Sequence, residues 1–432
     1  MTSIQKDENN GQKETITKSW LQRLKDESWE AELLVSAIAI FGTFQLFGVI
    51  NWGTNKFIDF LPPEQYLIGY FIVFMGLLAV SFLVSMFVIH FLLRAYWIGL
   101  VGLNSVFPDY SLDDSAYSKI YTERILSILP KLKDTIHKVD DICSVIFSAA
   151  FTLLLTYSYL AITSTIYLII YNFLINYIPK PIALIPIIGL GILLFFQSIL
   201  SIISNIKQFK QHEKLQILSF KIVKITTLIT FGPLYKNLLQ ITMTFGSNFK
   251  KNKGLIRFLA LLLLSGVFVA SYQINNTNIL YLANQEQYFD NTKTYAGYYK
   301  NENQEIDFLL TPEIEADVVN KKIVKLFIPI FEHERKLRKN ICAFIYEKND
   351  APTNERNLIC YHQYNEVYIN DKKYEAKFKK YYHPKTNQFG ILTYLNLSQL
   401  SEGSNYLRVK KVYSNEDNNI EWNIPFQYIT NN

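Results

Sequence analysis

Few residues in this chain have the type and spacing to do chemistry. In VIHFLLRAYW, His90 and Arg94 are four positions apart and share one face of a helix, with Trp97 three positions further on. A cation beside an apolar run pairs with a carboxylate, reaches lipid phosphate, or takes part in gating or catalysis. Glu30 and Glu32 stand at a matching depth, at the start of the preceding apolar run. The favoured reading is a structural charge pair from Arg94 to Glu30 or Glu32 that clasps the first two apolar segments, because a guanidinium holds a carboxylate through two parallel bonds.

Ser144, Ser148, Thr152 and Thr156 recur every four residues and form one polar helix face. Such hydroxyls mostly serve close helix packing, and the competing use is a polar pathway. Cys342 and Cys360 are equidistant from Ala351 in the turn-like NDAPTN. A β-hairpin over 341–361 would set them opposite each other as a disulfide, with two free buried thiols as the alternative. Cys360 and His362 would share a face of that strand, but a nucleophile also needs a pocket and an orienting group. The six histidines are scattered, HExxH and CxxC are missing, and no Walker A, GxGxxG or GxSxG motif occurs. The expectation is no catalytic residue, no metal site and no cofactor.

The elements that carry these residues fall into two kinds. Residues 31–272 hold most of the apolar content, whereas the last 160 residues carry 20 Lys/Arg against 20 Asp/Glu and read as soluble. A helix needs about 20 mainly apolar residues to cross a bilayer. Residues 31–50, 66–90, 143–175, 181–204 and 255–272 meet that length as transmembrane helices. Residues 1–30 form an N-terminal tail without a cleavable signal. Residues 91–107 are expected as a bent or interfacial continuation of the second span, and 217–248 as basic amphipathic helices on the inner leaflet.

Charge sets the orientation, since Lys and Arg near span ends stay cytoplasmic. The 205–254 segment is the most basic, and Lys207, Lys210, Lys214, Lys221, Lys224, Lys250, Lys251 and Lys253 form a lipid-contacting loop suited to anionic lipids. With that loop and 104–141 cytoplasmic, the N-terminus is cytoplasmic and everything after 272 is exterior. Arg94 lies 28 residues past Tyr66, about 42 Å of helix, and so at the cytoplasmic edge. No span carries a central carboxylate, which disfavours ion-coupled transport.

After a Tyr-rich connector at 273–300, residues 301–432 alternate in hydrophobicity between turn residues. Strands are expected at 321–331, 341–348, 358–364, 366–370, 389–396, 405–413 and 421–429. The expected fold is a membrane α-helical bundle of about five transmembrane helices plus interfacial helices, followed by an all-β sandwich-like soluble domain. The expected function is a non-enzymatic, membrane-anchored binding or scaffolding protein of a bacterial inner membrane, with the sandwich in the periplasm. Its partners would be the bilayer and an envelope protein or glycan, not nucleic acid. The alternative is a channel or transporter component, and the third reading a membrane-embedded lipid-modifying enzyme.

Overall fold

The computed structural model describes residues 4–107, 116–249, 253–289, 293–302, 306–343, 352–412 and 420–429; of the side chains before Leu33, only that of Glu30 is described. The chain divides into two compact units, Met1–Ile50 with Ile72–Asn276, and Asn51–Phe71 with Thr277–Asn432.

Helices α1 (Ile4–Phe60), α2 (Tyr66–Val106), α3 (Lys119–Ile128), α4 (Leu132–Leu174), α5 (Lys180–Asn205), α6 (Glu213–Phe231), α7 (Tyr235–Phe249) and α8 (Lys253–Ile274) come first. Among the described residues, five helical stretches are long and apolar enough to cross a membrane: Leu33–Phe60, Pro63–Val106, Lys119–Leu174, Lys180–Asn205 and Glu213–Thr244. The number equals the sequence expectation but the set differs. The stretch read as interfacial, 217–248, falls largely within the fifth, while the expected span 255–272 lies in α8, whose described apolar part, Leu259–Ile274, is shorter.

Boundaries also move. The first helix continues through the expected 51–65 loop and stops before Pro62 and Pro63, where proline removes a backbone donor and disfavours helix in the residue before it. Residues 91–106 are an unbroken helical continuation of α2. Helix α4 begins at Leu132, so Asp140, expected in a cytoplasmic segment, is helical. The core of this unit comes from α2, α4 and α8 through Leu83, Met86, Phe87, Ile146, Ala149, Ala150 and Leu262. Between α6 and α7 the chain turns at Gly232, which has φ +50°, a left-handed conformation that glycine adopts without strain. A Cβ there would lie 2.5 Å from the Tyr159 hydroxyl of α4.

The other unit contains a separate β-sheet region. Helix α9 (Ile279–Ala283) precedes β1 (Glu313–Ile314), β2 (Val318–Val319) and β3 (Ile323–Pro329). Helices α10 (Glu332–Ile341) and α11 (Thr353–Tyr364) follow, then β4 (Asn365–Ile369), β5 (Lys372–Tyr374), β6 (Lys379–Tyr382), β7 (Phe389–Asn396), β8 (Gly403–Lys411) and β9 (Ile420–Tyr428). One sheet has the order β1-β3-β7-β6 and the other β2-β9-β8-β4-β5, and all pairs are antiparallel except β2 with β9. Leu326, Ile328 and Ile391 of one sheet and Val367, Leu407, Val409 and Ile424 of the other belong to one buried cluster.

Residues 358–364, expected as a strand, are helical. Their buried members are Cys360, Tyr361 and Tyr364, a helical stripe where strand alternation would select 358, 360, 362 and 364. Of the expected strand 341–348, Ile341 ends α10 and residues 344–348 lie outside the described residues. The expected Tyr-rich connector folds as α9 and two short 3-10 turns, and its rings touch in series: Tyr281 to Tyr288 at 5.0 Å, Tyr288 to Tyr295 at 5.2 Å, and Tyr295 to Tyr298 at 5.9 Å between centroids.

Residues 51–71 belong to this same unit through named contacts. Asp59 Oδ1 accepts from the Glu332 backbone N–H at 2.9 Å and thereby caps the start of α10. Asn278 Nδ2 donates to Asn55 Oδ1 at 2.8 Å, and the Tyr66 ring lies against Tyr281 and His333.

Candidate functional site

In the helical unit, Arg94 is buried, and its Nη1 donates to Asp140 Oδ1 at 2.6 Å. Its guanidinium also stacks over Trp97, 5.1 Å from the ring centroid. The carboxylate that meets it therefore comes from α4, whereas Glu30 is exposed and the Glu32 side chain lies outside the described residues. Asp140 was missed because the segment before residue 143 reads as a loop in hydropathy. His90 is buried one turn before Arg94, with Nδ1 2.7 Å from Ser36 Oγ of α1. Of the polar face on α4, Thr152 donates to the Ser148 carbonyl at 2.8 Å and Thr156 to the Thr152 carbonyl at 2.7 Å, so both hydroxyls bond within their own helix. In the basic loop, Lys207, Lys210, Lys214, Lys221 and Lys224 are exposed, Lys250 and Lys251 lie outside the described residues, and so does the Lys253 side chain.

In the β-sheet region a disulfide joins Cys342 and Cys360, with Cα atoms 5.8 Å apart. It links two helices, since Cys342 caps the C-terminus of α10 and Cys360 lies within α11; the expected β-hairpin is not its setting. Helical geometry also separates Cys360 from His362, because residues two apart on a helix face different directions. Cys143 is a free buried cysteine on α4.

Two buried polar pairs went unnoticed in the sequence. Lys411 Nζ donates to Glu334 Oε1 at 2.7 Å, to Oε2 at 2.9 Å and to the Pro329 carbonyl at 2.8 Å, and both side chains are almost wholly buried. Burial pushes the Lys411 pKa down while the Glu334 carboxylate opposes that shift. His383 Nε2 lies 3.2 Å from Glu313 Oε2, and its Nδ1 accepts from the Thr386 N–H at 3.2 Å. Burial, then Lys300 and Lys385, pushes the imidazole pKa down. A neutral ring that donates Nε2–H to Glu313 fits both the acceptor role of Nδ1 and the direction of the shift.

The His383 pair lines a cavity of about 340 Å³ with Lys300 and Lys385. Thr386 Oγ1, 3.1 Å from His383 Nδ1, belongs to the turn that this ring caps, so the trio acts as a turn clamp. A second cavity, of about 360 Å³, is lined by Arg335 and Arg338 of α10, Tyr361 of α11, Lys380 and Tyr382 of β6, and Phe389 of β7. Arg335 stacks on Phe389 at 4.9 Å and also pairs with Glu332, while Arg338 stacks on Tyr361 at 5.5 Å and donates to its hydroxyl at 2.7 Å. Lys380 Nζ donates to Asn354 Oδ1 at 3.3 Å. Burial, followed by repulsion from Arg338 and Arg335, lowers the Lys380 pKa. No carboxylate lines this cavity among the described residues.

The sequence carried a faint trace of this second cavity in the mixture of lysine and tyrosine in KFKKYYH. Its other half, ERKLR, stands some forty residues earlier, and only the fold joins them. Among the described residues no group of three or more His, Cys, Asp or Glu could hold a metal ion. Comparison with protein families, with curated proteins and with solved structures finds no match for this chain.

Proposed function

We propose that the chain is a non-enzymatic, membrane-anchored binding or scaffolding protein whose helices hold a two-sheet sandwich on the exterior face of a bacterial inner membrane. The observation that carries this reading is the membership of residues 51–71 and 277–432 in one compact unit. The turn between the first two helices and the β-sheet region then stand on one side of the bilayer. An even number of crossings must separate them.

Parity admits two sets of four crossings, α2, α4 and α5 with either Glu213–Thr244 or α8; we favour α8, with the α6 to α7 segment entering and returning. Its turn supports this, because Gly232 packs against Tyr159, 15 residues or about 22 Å of helix before Leu174 at the end of α4. The basic stretches at 207–214 and 250–257 then share the cytoplasmic face, as the bias of Lys and Arg requires. A disulfide between Cys342 and Cys360 suits the oxidising exterior. Helix packing is favoured over a polar pathway for the α4 face, since Thr152 and Thr156 donate their hydroxyls to carbonyls of their own helix.

A reporter fused after Asn432 tests the orientation. Activity of an exterior-only reporter such as a disulfide-requiring phosphatase is the expected result, and activity of a cytoplasmic reporter at the same position would overturn the reading.

A further inference from the structure

The cavity between α10, α11, β6 and β7 concentrates three cations, of which Arg335 is paired with Glu332 outside the lining, while among the described residues Arg338 and Lys380 meet only the neutral Tyr361 and Asn354. Arg335, Arg338 and Lys380 converge there without a lining carboxylate, and Arg338 Nε is buried with no hydrogen-bond partner among the described residues. Grouping like charges in a partly desolvated site is unfavourable unless an anion joins them. Aromatic surface stands beside the charges, with Tyr382 59% and Tyr381 37% exposed. The disulfide ties together the two helices that hold Arg338 and Tyr361, so the site is formed in advance of binding. Its volume of about 360 Å³ falls in the range of small-ligand pockets.

We propose that this cavity binds an acidic saccharide unit: a carboxylate or phosphate held by Arg335, Arg338 and Lys380, on a sugar ring that lies against Tyr381 and Tyr382. Arginine matches such oxyanions through paired N–H donors, and the tyrosine rings offer an apolar face with a polar edge. The inference rests on the exterior display proposed above, where acidic polymers are accessible.

The test uses the full-length protein in nanodiscs of neutral lipid, with calorimetric titration of oligogalacturonate, glucose 1-phosphate, inorganic phosphate and a neutral oligosaccharide of equal length. Oligogalacturonate or glucose 1-phosphate should bind more tightly than inorganic phosphate, weaken with added salt, and exceed the neutral oligosaccharide by ~10-fold or more. Lys380→Glu should weaken that binding by ~10-fold or more with the melting temperature unchanged, whereas Lys380→Arg should retain it. Arg335→Gln serves as a second variant with a smaller loss. Equal binding of acidic and neutral saccharides, indifference to Lys380→Glu, or a stronger preference for anionic vesicles than for either acidic sugar would each overturn the proposal. Absent binding with an exterior reporter signal removes this proposal alone; a cytoplasmic signal with binding intact removes the exterior reading and leaves the anion site standing.

Discussion

In the helical unit Phe41, Phe195 and Phe268 are 78%, 68% and 74% exposed, whereas in the β-sheet region Leu326, Ile328, Val409 and Ile424 are fully buried. The two units put similar apolar side chains to opposite uses. Outward apolar faces on long helices suit a hydrocarbon surrounding, where water gives no drive to bury them. The β-sheet region follows the usual rule for water, with an apolar cluster inside and charge on the rim. Polar contacts differ in the same way. The α4 threonines bond to their own helix, and the helical unit adds the pairs Arg94 with Asp140 and His90 with Ser36. The β-sheet region buries a full ion pair, Lys411 with Glu334, and takes a cap for α10 from Asp59.

That contrast predicts where single substitutions do most damage. Glu334→Ala should have the largest effect, about 3–5 kcal/mol of lost stability, because it leaves Lys411 as an uncompensated buried cation. Denaturant unfolding followed through Trp422, whose ring is 5.7 Å from Lys411 Nζ, reads this directly. Joint replacement of Glu334 and Lys411 by methionine should recover most of the loss, and an unrecovered loss would show that the pair is not its source.

Replacing Cys342 and Cys360 with serine should cost the β-sheet region roughly 3 kcal/mol, from the freed loop of sequence separation 18. In the helical unit, Arg94→Leu should cost less, roughly 2 kcal/mol, because Asp140 keeps a 24% exposed side chain and part of its hydration. A thermal shift of the detergent-solubilised protein measures it; wild-type stability with selective loss of function would make Arg94 a functional residue instead.

A smaller effect, about 1 kcal/mol, is expected from Asp59→Ala, which removes a cap from α10. The loss should appear in unfolding of the β-sheet region although Asp59 lies more than two hundred residues earlier in the chain. The mildest perturbation is acid. Burial is the leading cause of lowered pKa at His333 and His362, so each is held neutral in the folded region. Their contribution is complete above the unfolded value of about 6.5 and is lost as pH falls through the lowered folded values. Unfolding midpoints should thus be flat above neutrality and decline below it.

The strands at 366–370, 389–396, 405–413 and 421–429 were legible because alternation is a local signal, and β4, β7, β8 and β9 occupy nearly those positions. Helix α11 was not, since LICYHQY is short, rich in strand-favouring types, and becomes helical through the packing of Cys360, Tyr361 and Tyr364. The apolar helices were legible in number, but hydropathy alone could not tell a returning helix pair from a crossing one. The proposed return of that pair rests on the contact between Gly232 and Tyr159. Arg94 announced a partner but not its identity, because Asp140 is close only once α4 is extended back to Leu132. The basic cavity was invisible for the same reason: α10 and β6 carry its charges and are distant in sequence.

The central claim is that the chain crosses four times between the first turn and the β-sheet region, with α6 and α7 entering and returning. Single cysteines at Gln211 and Lys253, in a Cys143→Ala background, bracket that pair. A membrane-impermeant maleimide applied to spheroplasts should label neither until the membrane is permeabilised, while Tyr382→Cys is labelled from outside at once. Labelling of Lys253→Cys from outside with Gln211→Cys protected would mean that α6 and α7 cross, and would contradict the account.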